Sequence, residues 1–282
     1  MIIDFHTHTF PDAIAQRAIA GMQATSHATA FTDGTVSGLQ HAMADSGVCY
    51  SVVLPVATNP TKLTSINDVS IAKNGKDGLI YFAAMHPMAE NWNEELTRLA
   101  HAGIKGIKIH PQYQGADITD IRFLRILGRA AELGLITVMH AGDDIGYPGI
   151  IRCSPEMTGA ALRELGNIPL VLAHMGGWKS WERVAEHLAD TGCMLDTAFS
   201  LGAVMPLGKE FYHPEELQLL SPDAFISLVR TFGSHRILFG TDSPWASQRS
   251  EINQFLNLAL TQEEADNILY RNACQLLQIE MS

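Results

Sequence analysis

The stretch "IIDFHTH" (2–8) decides how this chain is read. An apolar start passes into Asp4, Phe5 and two alternating histidines. Side chains alternate across a strand, so Asp4, His6 and His8 share one face. His6 and His8 then lie about 7 Å apart at Cα, close enough to share one ion. Either this is a metal clamp at the end of a buried strand, or it is the start of a polar loop. The remainder of the chain separates the two readings.

Seven more short apolar runs follow: "YSVVLPV" (50–56), "LIYFAAM" (79–85), "GIKGIKIH" (103–110), "LITVMH" (135–140), "PLVLAH" (169–174), "CMLDT" (193–197) and "RILFGTD" (236–242). Helical patterns lie between them. Phe123, Ile126, Leu127, Ala130 and Leu133 fall at helical spacing, as do Leu96, Leu99 and Ala100 after a capping box from Asn91 to Glu94. Ser154-Pro155-Glu156 and Ser221-Pro222-Asp223 each offer an N-cap, a proline at the first helical position and an acid in the first turn. Thr261 and Glu264 match a further capping box, and Gly103, Gly134 and Gly166 stand where helices should stop. Strand and helix alternating eight times predict an α/β fold, a (β/α)8 TIM barrel, formed as one domain over residues 1–282. Two long loops distort it, one after the first strand (25–35, with a helix around 36–46) and one after the seventh (198–221). Long loops on the active face of a barrel shape its pocket.

Composition narrows the function classes. Of 282 residues, 46% are hydrophobic and 17% charged, enough to fill a large core and too apolar for disorder. The net charge of −11 argues against a nucleic-acid partner, because phosphate binding needs clustered Lys and Arg. Cys49, Cys153, Cys193 and Cys274 are widely spaced and form no CxxC pair, so they read as reduced thiols. No basic leader and no run of about 18 apolar residues occurs, so no membrane association is expected and the protein reads as soluble and cytoplasmic.

In such a barrel, chemistry gathers at the C-terminal ends of the strands. Those ends carry His6 and His8, His110, His140, His174 and Asp242. Three or four nitrogen and oxygen ligands with an open position describe a catalytic zinc or related site. For each histidine alone, a hydrogen-bonded core or loop role is the alternative. His27, His41, His86, His101, His187, His213 and His235 read as surface or structural residues.

At this point "IIDFHTH", "GIKGIKIHPQYQ", "VMHAGDD", "LVLAHMGGW" and "ILFGTDSPW" resemble the amidohydrolase superfamily. They resemble most closely its amidohydrolase-related branch, with the aminocarboxymuconate-semialdehyde decarboxylase-like enzymes. The resemblance implies one divalent metal ion, usually Zn2+, held by His6, His8, His140 and Asp242, with His174 beside the water. His174 and Asp242 would then be the catalytic residues. It also implies a small-molecule substrate, and a homodimer is common in this branch. Some superfamily members bridge two metals with a carboxylated lysine. Lys108 shares a strand face with His110, but a lysine paired with a charge is the preferred reading, and so a mononuclear site.

His110, Tyr113 and Gln114 in "HPQYQ", and Trp178 after "HMGG", are candidate substrate contacts. Asp143 and Asp144 read as solvated, and Arg152 either binds a substrate carboxylate or lies on the surface. Asp4 and Asp196 read as residues that orient a ligand or a neighbouring strand. The expected function is a metal-dependent hydrolase acting on a small amide, ester or lactone. The alternative is a non-oxidative decarboxylase of a small unsaturated or aromatic acid, which needs a cation for the departing carboxylate. A non-catalytic metal-binding scaffold is the third reading.

Overall fold

The computed structural model describes residues 1–208 and 210–280. Lys209, Met281 and Ser282, part of the span 1–282 expected to form one domain, lie outside the described residues. Nine strands form among the described residues: β1 (Ile3–Thr7), β2 (Tyr50–Val53), β3 (Leu79–Tyr81), β4 (Ala83–Ala84), β5 (Gly106–Ile109), β6 (Ile136–Met139), β7 (Leu170–Leu172), β8 (Met194–Asp196) and β9 (Ile237–Leu238). They fall on the eight apolar runs, with one run split. Residues 79–85 divide at Phe82 because the pairing changes there. The Phe82 N–H donates to Val53 O at 3.0 Å, whereas Ala83 and Ala84 pair with Ile107 and Lys108.

The chain divides into two compact units, Val52–Leu195 and Met1–Ser51 with Asp196–Ser282. In the Val52–Leu195 unit, β4 to β8 pair side by side, all parallel, with Gly106 opposite Ile136, Thr137 opposite Leu170 and Val171 opposite Met194. Every residue of β5, β6 and β7 is buried. Parallel strands covered on both faces read as continuous apolar runs, which is why these three were visible in the sequence. The helix Ile121–Glu132 buries Phe123, Leu124, Ile126, Leu127 and Ala130. Ser154 caps the helix Pro155–Leu165 by accepting from Met157 N. The capping box expected at Asn91 does not form. The Asn91 side chain instead donates to Thr64 Oγ1 at 3.3 Å, and the helix Trp92–His101 starts without a side-chain cap.

In the other unit, β1 runs parallel to the segment that continues β9. Phe5 N donates to Phe239 O and His8 N to Ser243 O, both at 2.7 Å, and Thr7 pairs with Ser243. Thr197 N donates to Leu238 O at 3.0 Å from the far side. The helix expected around 36–46 spans Val36–Ser46 and is capped by Thr35. The two long loops brace one another: Ala28 and Pro206 form an antiparallel bridge flanked by Thr29 N to Met205 O and Leu207 N to His27 O. Ser221 caps the helix Pro222–Phe232, and both halves of the Thr261–Glu264 capping box are made. Among the described residues, no helix is long and apolar enough to cross a membrane.

Gly106 opens β5 where a neighbouring strand and ring come closest. A Cβ there would overlap both the Phe82 ring and the backbone oxygen of Ile136. Backbone cannot yield as a flexible side chain can. Gly106→Ala is therefore expected to cost about 3 kcal/mol of stability, read as a lower urea midpoint with an unchanged m-value.

Candidate metal centre

Three side chains of the unit containing β1 converge. His6 Nε2 and His8 Nε2 are 3.2 Å apart, and Asp242 Oδ1 lies 3.3 Å from the first and 3.1 Å from the second. The remaining ring nitrogen of His6, Nδ1, is 2.8 Å from Asp196 Oδ2, and both side chains are buried. A carboxylate only accepts, so Nδ1 carries a proton and Nε2 of the neutral ring presents its lone pair to the triangle. A lone pair, a carboxylate oxygen and a second imidazole nitrogen at this spacing require a proton or a cation among them. Ligands about 2.05 Å from one ion are about 2.9 Å apart at a right angle and about 3.3 Å apart at the tetrahedral angle. The three observed edges fall in that interval.

Ring orientation supports the same reading. An imidazole-bound metal lies near the plane of the ring. The His6 and His8 planes are inclined by 72°, so they meet. The donor set of two imidazoles and a carboxylate fits a divalent metal ion.

Local backbone brings these groups together. Asp4, one alternation deeper on β1, is fully buried and accepts from Thr241 N (3.0 Å), Thr241 Oγ1 (2.6 Å), Gln248 Nε2 (2.7 Å) and His6 N (3.2 Å). It thereby ties the strand carrying His6 to the segment carrying Asp242. Asp242 adopts φ 68°, a left-handed conformation uncommon outside glycine, and its N–H donates to His6 O at 2.8 Å. Burial lifts the Asp4 carboxyl to about 6 despite its hydrogen bonds. Burial, then the charges of Asp4 and Asp242, lift Glu251 to about 8.

The Val52–Leu195 unit holds a second constellation. His140, at the end of β6, has Nε2 3.0 Å from the carbonyl of Asp143 and Nδ1 3.0 Å from His174 Nε2. The carbonyl can only accept, so His140 is protonated at Nε2. Burial holds its pKa well below the ordinary value, with His110 and His174 adding to the effect. A neutral ring then has a lone pair at Nδ1, and His174 donates to it. His174, like Asp242, has a left-handed backbone, with φ 58°. Its carbonyl is held by the Trp181 indole N–H at 2.9 Å.

His110 stacks on His140, with centroids 4.0 Å apart and planes 13° apart, and Tyr113 stacks on His110 at 3.8 Å. Asp144 Oδ2 lies 3.4 Å from His110 Nε2 and 3.8 Å from His140 Nε2. These three residues bring ligand-type atoms within 4.8 Å of one another. Nearly parallel ring planes share no point at which one ion could sit in both, so this group fits a ring stack better than a metal.

The structure thus gathers His6, His8 and Asp242 in one cluster and His110, His140, His174 and Tyr113 in another. Trp178 is buried, and its backbone braces Ala141 and Asp143. Lys108 is buried on β5. Gln114 is a brace: it accepts from His110 N and donates to the carbonyls of Ala57 and Met85. Arg152 is engaged by Asp117 at 2.9 Å. Asp144 corrects the expectation of a solvated acid, being buried against histidines. Gln248 and Glu251, buried on the helix Gln248–Leu256, were not singled out in the sequence. His86, read as surface or structural, is buried.

Comparisons with known proteins bear on the family and the fold. The sequence model of the amidohydrolase family matches residues 3–279. No curated protein matches the chain. Among solved structures, an uncharacterised TIM-barrel protein from Bordetella bronchiseptica is similar with a TM-score of 0.74 at 16% identity, covering 98% of each chain. A dihydroxybenzoic acid decarboxylase from Polaromonas, with bound manganese and the inhibitor 2-nitroresorcinol, has a TM-score of 0.68 at 13% identity, covering 100% of this chain and 98% of its own. A putative 2-pyrone-4,6-dicarboxylic acid hydrolase from Pseudomonas putida has a TM-score of 0.65 at 17% identity, with 100% and 98% coverage. Likeness at these identities shows the fold, the parallel α/β fold of the (β/α)8 barrel class.

Two outcomes are expected. Asp196→Asn should weaken divalent-metal binding about 10- to 100-fold while the protein stays folded, because His6 loses the partner that sets its tautomer; competition with a chromogenic chelator measures this. Glu251 has its folded-state value raised from 4.5 to about 8, so its contribution favours the fold below pH 4.5 and is lost as pH rises through about 8. Urea midpoints of the metal-free protein should therefore fall across that window, and fall less for Glu251→Gln.

Proposed function

The chain belongs to the amidohydrolase family, whose model matches residues 3–279, and on that premise we propose that it is a metal-dependent hydrolase of a small-molecule ester, lactone or amide. The observation that carries the reading is the His6–His8–Asp242 triangle, with its inclined ring planes and its Asp196-fixed tautomer. To these three ligands the family resemblance adds His140. Its Nε2 proton, now donated to Asp143 O, would have to move to Nδ1 for Nε2 to ligate. We favour one Zn2+ ion, since imidazole nitrogens dominate the set. Manganese, as in the Polaromonas structure, is the competing ion. When bound, such an ion acts as a Lewis acid and lowers the pKa of water beside it from about 15.7 toward about 7.

The chain's own groups do the rest. Asp196 holds His6 in the ligating tautomer. Asp242 accepts a proton as water attacks the carbonyl. His174, kept in a buried relay with His140, orients the water or takes its proton. His110 and Tyr113 contact the substrate, and Trp178 supports that wall. Residues 1–282 act as one barrel domain on a small molecule in the cytoplasm, without nucleic acid or membrane, and a homodimer is compatible with the family resemblance. Hydrolysis is favoured over decarboxylation because Arg152, which with the His110 region is one of two candidates for receiving a departing carboxylate, is already paired with Asp117.

The test uses metal-loaded protein, with 2-pyrone-4,6-dicarboxylate and 2,6-dihydroxybenzoate as probes in 18O-labelled water. The expected result is one label incorporated per lactone opened, abolished by a chelator and restored by Zn2+. Carbon dioxide released from either acid without label uptake overturns hydrolysis in favour of a carboxy-lyase. Metal retention with neither reaction rejects both acids as substrates.

A further inference from the structure

The loop that follows β6 carries a buried acid, Asp144, with no part in the proposed hydrolysis. Asp144 is 7% exposed. Its Oδ1 accepts from Gly146 N at 2.8 Å, and its carbonyl accepts from Tyr147 N at 2.9 Å. Its own N–H donates to Asp143 Oδ1 at 2.8 Å. The other carboxylate oxygen turns inward, 3.4 Å from His110 Nε2. One side chain thus joins the start of a surface loop to a buried imidazole.

That imidazole belongs to a row of rings. Tyr147, 44% exposed, meets Tyr113 at 5.1 Å; Tyr113 stacks on His110 at 3.8 Å; His110 stacks on His140 at 4.0 Å; and His174 meets His140 edge-on at 4.8 Å. Asp144 touches this row from both sides, through His110 and through the turn that carries Tyr147. The stretch beyond is apolar and outward-facing, with Ile150 and Ile151 exposed.

We propose that Asp144 is a positioning residue: one carboxylate oxygen fixes His110 as its Nε2–H tautomer, and the other pins the 144–147 turn, so that the loop and the ring wall are held as one unit. The chemistry is that of acceptors. A carboxylate only accepts, so a proton at His110 Nε2 is the arrangement that avoids facing two lone pairs across 3.4 Å, while Gly146 donates its amide outright. The alternative, a solvated acid on a mobile loop, leaves the ring free to exchange tautomers and the turn free to open. The link to substrate rests on the assignment of His110 to the substrate wall; the tautomer and the turn do not.

Two variants separate the two ends of the clamp. Asp144→Asn keeps the shape but can present an NH2 group to His110 while its oxygen still serves Gly146. Long-range 1H–15N spectra of the metal-free protein, with His110 assigned through His110→Gln, should show the Nε2–H tautomer in the wild type and the Nδ1–H tautomer in Asp144→Asn. Asp144→Ala removes both ends, and the Gly146 amide should exchange with deuterium about tenfold faster or more, while the Ile107 and Val138 amides keep their wild-type protection. If those strand amides also lose protection, the wild-type tautomer alone decides. An Nδ1–H wild-type ring, the same His110 tautomer in wild type and Asp144→Asn, or unchanged Gly146 exchange in Asp144→Ala overturns the proposal. None of these readouts needs turnover, so a failed hydrolase assay leaves them standing. Where 2-pyrone-4,6-dicarboxylate is turned over, Asp144→Ala should raise KM more than it lowers kcat.

Discussion

A buried carboxylate has to be hydrogen-bonded on every side or it will not stay ionised and ordered. Asp4 meets that demand with two backbone amides, a threonine hydroxyl and a glutamine amide. The partners it recruits are the ones that matter: the amide of His6, the two donors of Thr241 next to Asp242, and a helix that also carries Glu251. The HxH pair and the aspartate are separated by more than 230 residues, and their ligand atoms still come within 3.3 Å of one another. The Asp4 staple adds buried side-chain bonds to the ladder bonds that set the register between β1 and the 237–243 segment, and so to the face on which His6 and His8 lie.

Orientation, more than proximity, then distinguishes the two histidine clusters. Both contain two imidazoles and a carboxylate within ligand reach of one another. In one the rings are inclined by 72° and a buried acid fixes the tautomer of His6. In the other the rings lie 13° from parallel, and the acid serves a loop as well as a ring. Residue type and spacing are the same kind of signal in both. The ring planes, and for His6 the hydrogen bond made by its second nitrogen, distinguish the two clusters.

This is also the line between what could be read from the sequence and what could not. Buried parallel strands are continuous apolar runs, so all eight were legible, and the Ser154, Ser221 and Thr261 caps were legible because capping is local. The convergence of His6, His8 and Asp242 was legible because all three were placed at the C-terminal ends of strands, which meet at one face of a barrel. Asn91 misled because its side chain found a tertiary partner, Thr64, that no local pattern encodes. Asp144 misled for the same reason: two adjacent acids after a strand normally face water, and its burial depends on His110 from a different strand. Asp4 and Asp196 were legible as orienting residues inside apolar runs, but not which groups they would hold, Thr241 and Gln248 for the one and His6 for the other. Gln248 and Glu251 sit on a helix whose pattern predicts burial of a face but not the ionisation of what is buried there.

The electrostatics of the unit containing β1 lead to the same centre. Asp4, Asp196, Asp242 and Glu251 are all buried in it, and the first and last have raised pKa values chiefly because burial penalises their charge. For Glu251 the charges of Asp4 and Asp242 add to that penalty. Such a concentration of carboxylates disfavours its own full ionisation, and a protein can relieve it by protonation or by a cation. Protonating Asp242 or the ring nitrogens would consume the lone pairs that the geometry has aligned. A divalent ion satisfies those lone pairs and offsets the surplus charge together. The left-handed backbone at Asp242 fits this logic, since a strained conformation persists where surrounding bonds overdetermine it, here its amide to His6 O and its carbonyl to Trp245 N. Asp196 sets the tautomer and backbone hydrogen bonds hold the strain, which leaves the clustered charge and the facing lone pairs for a bound cation to answer.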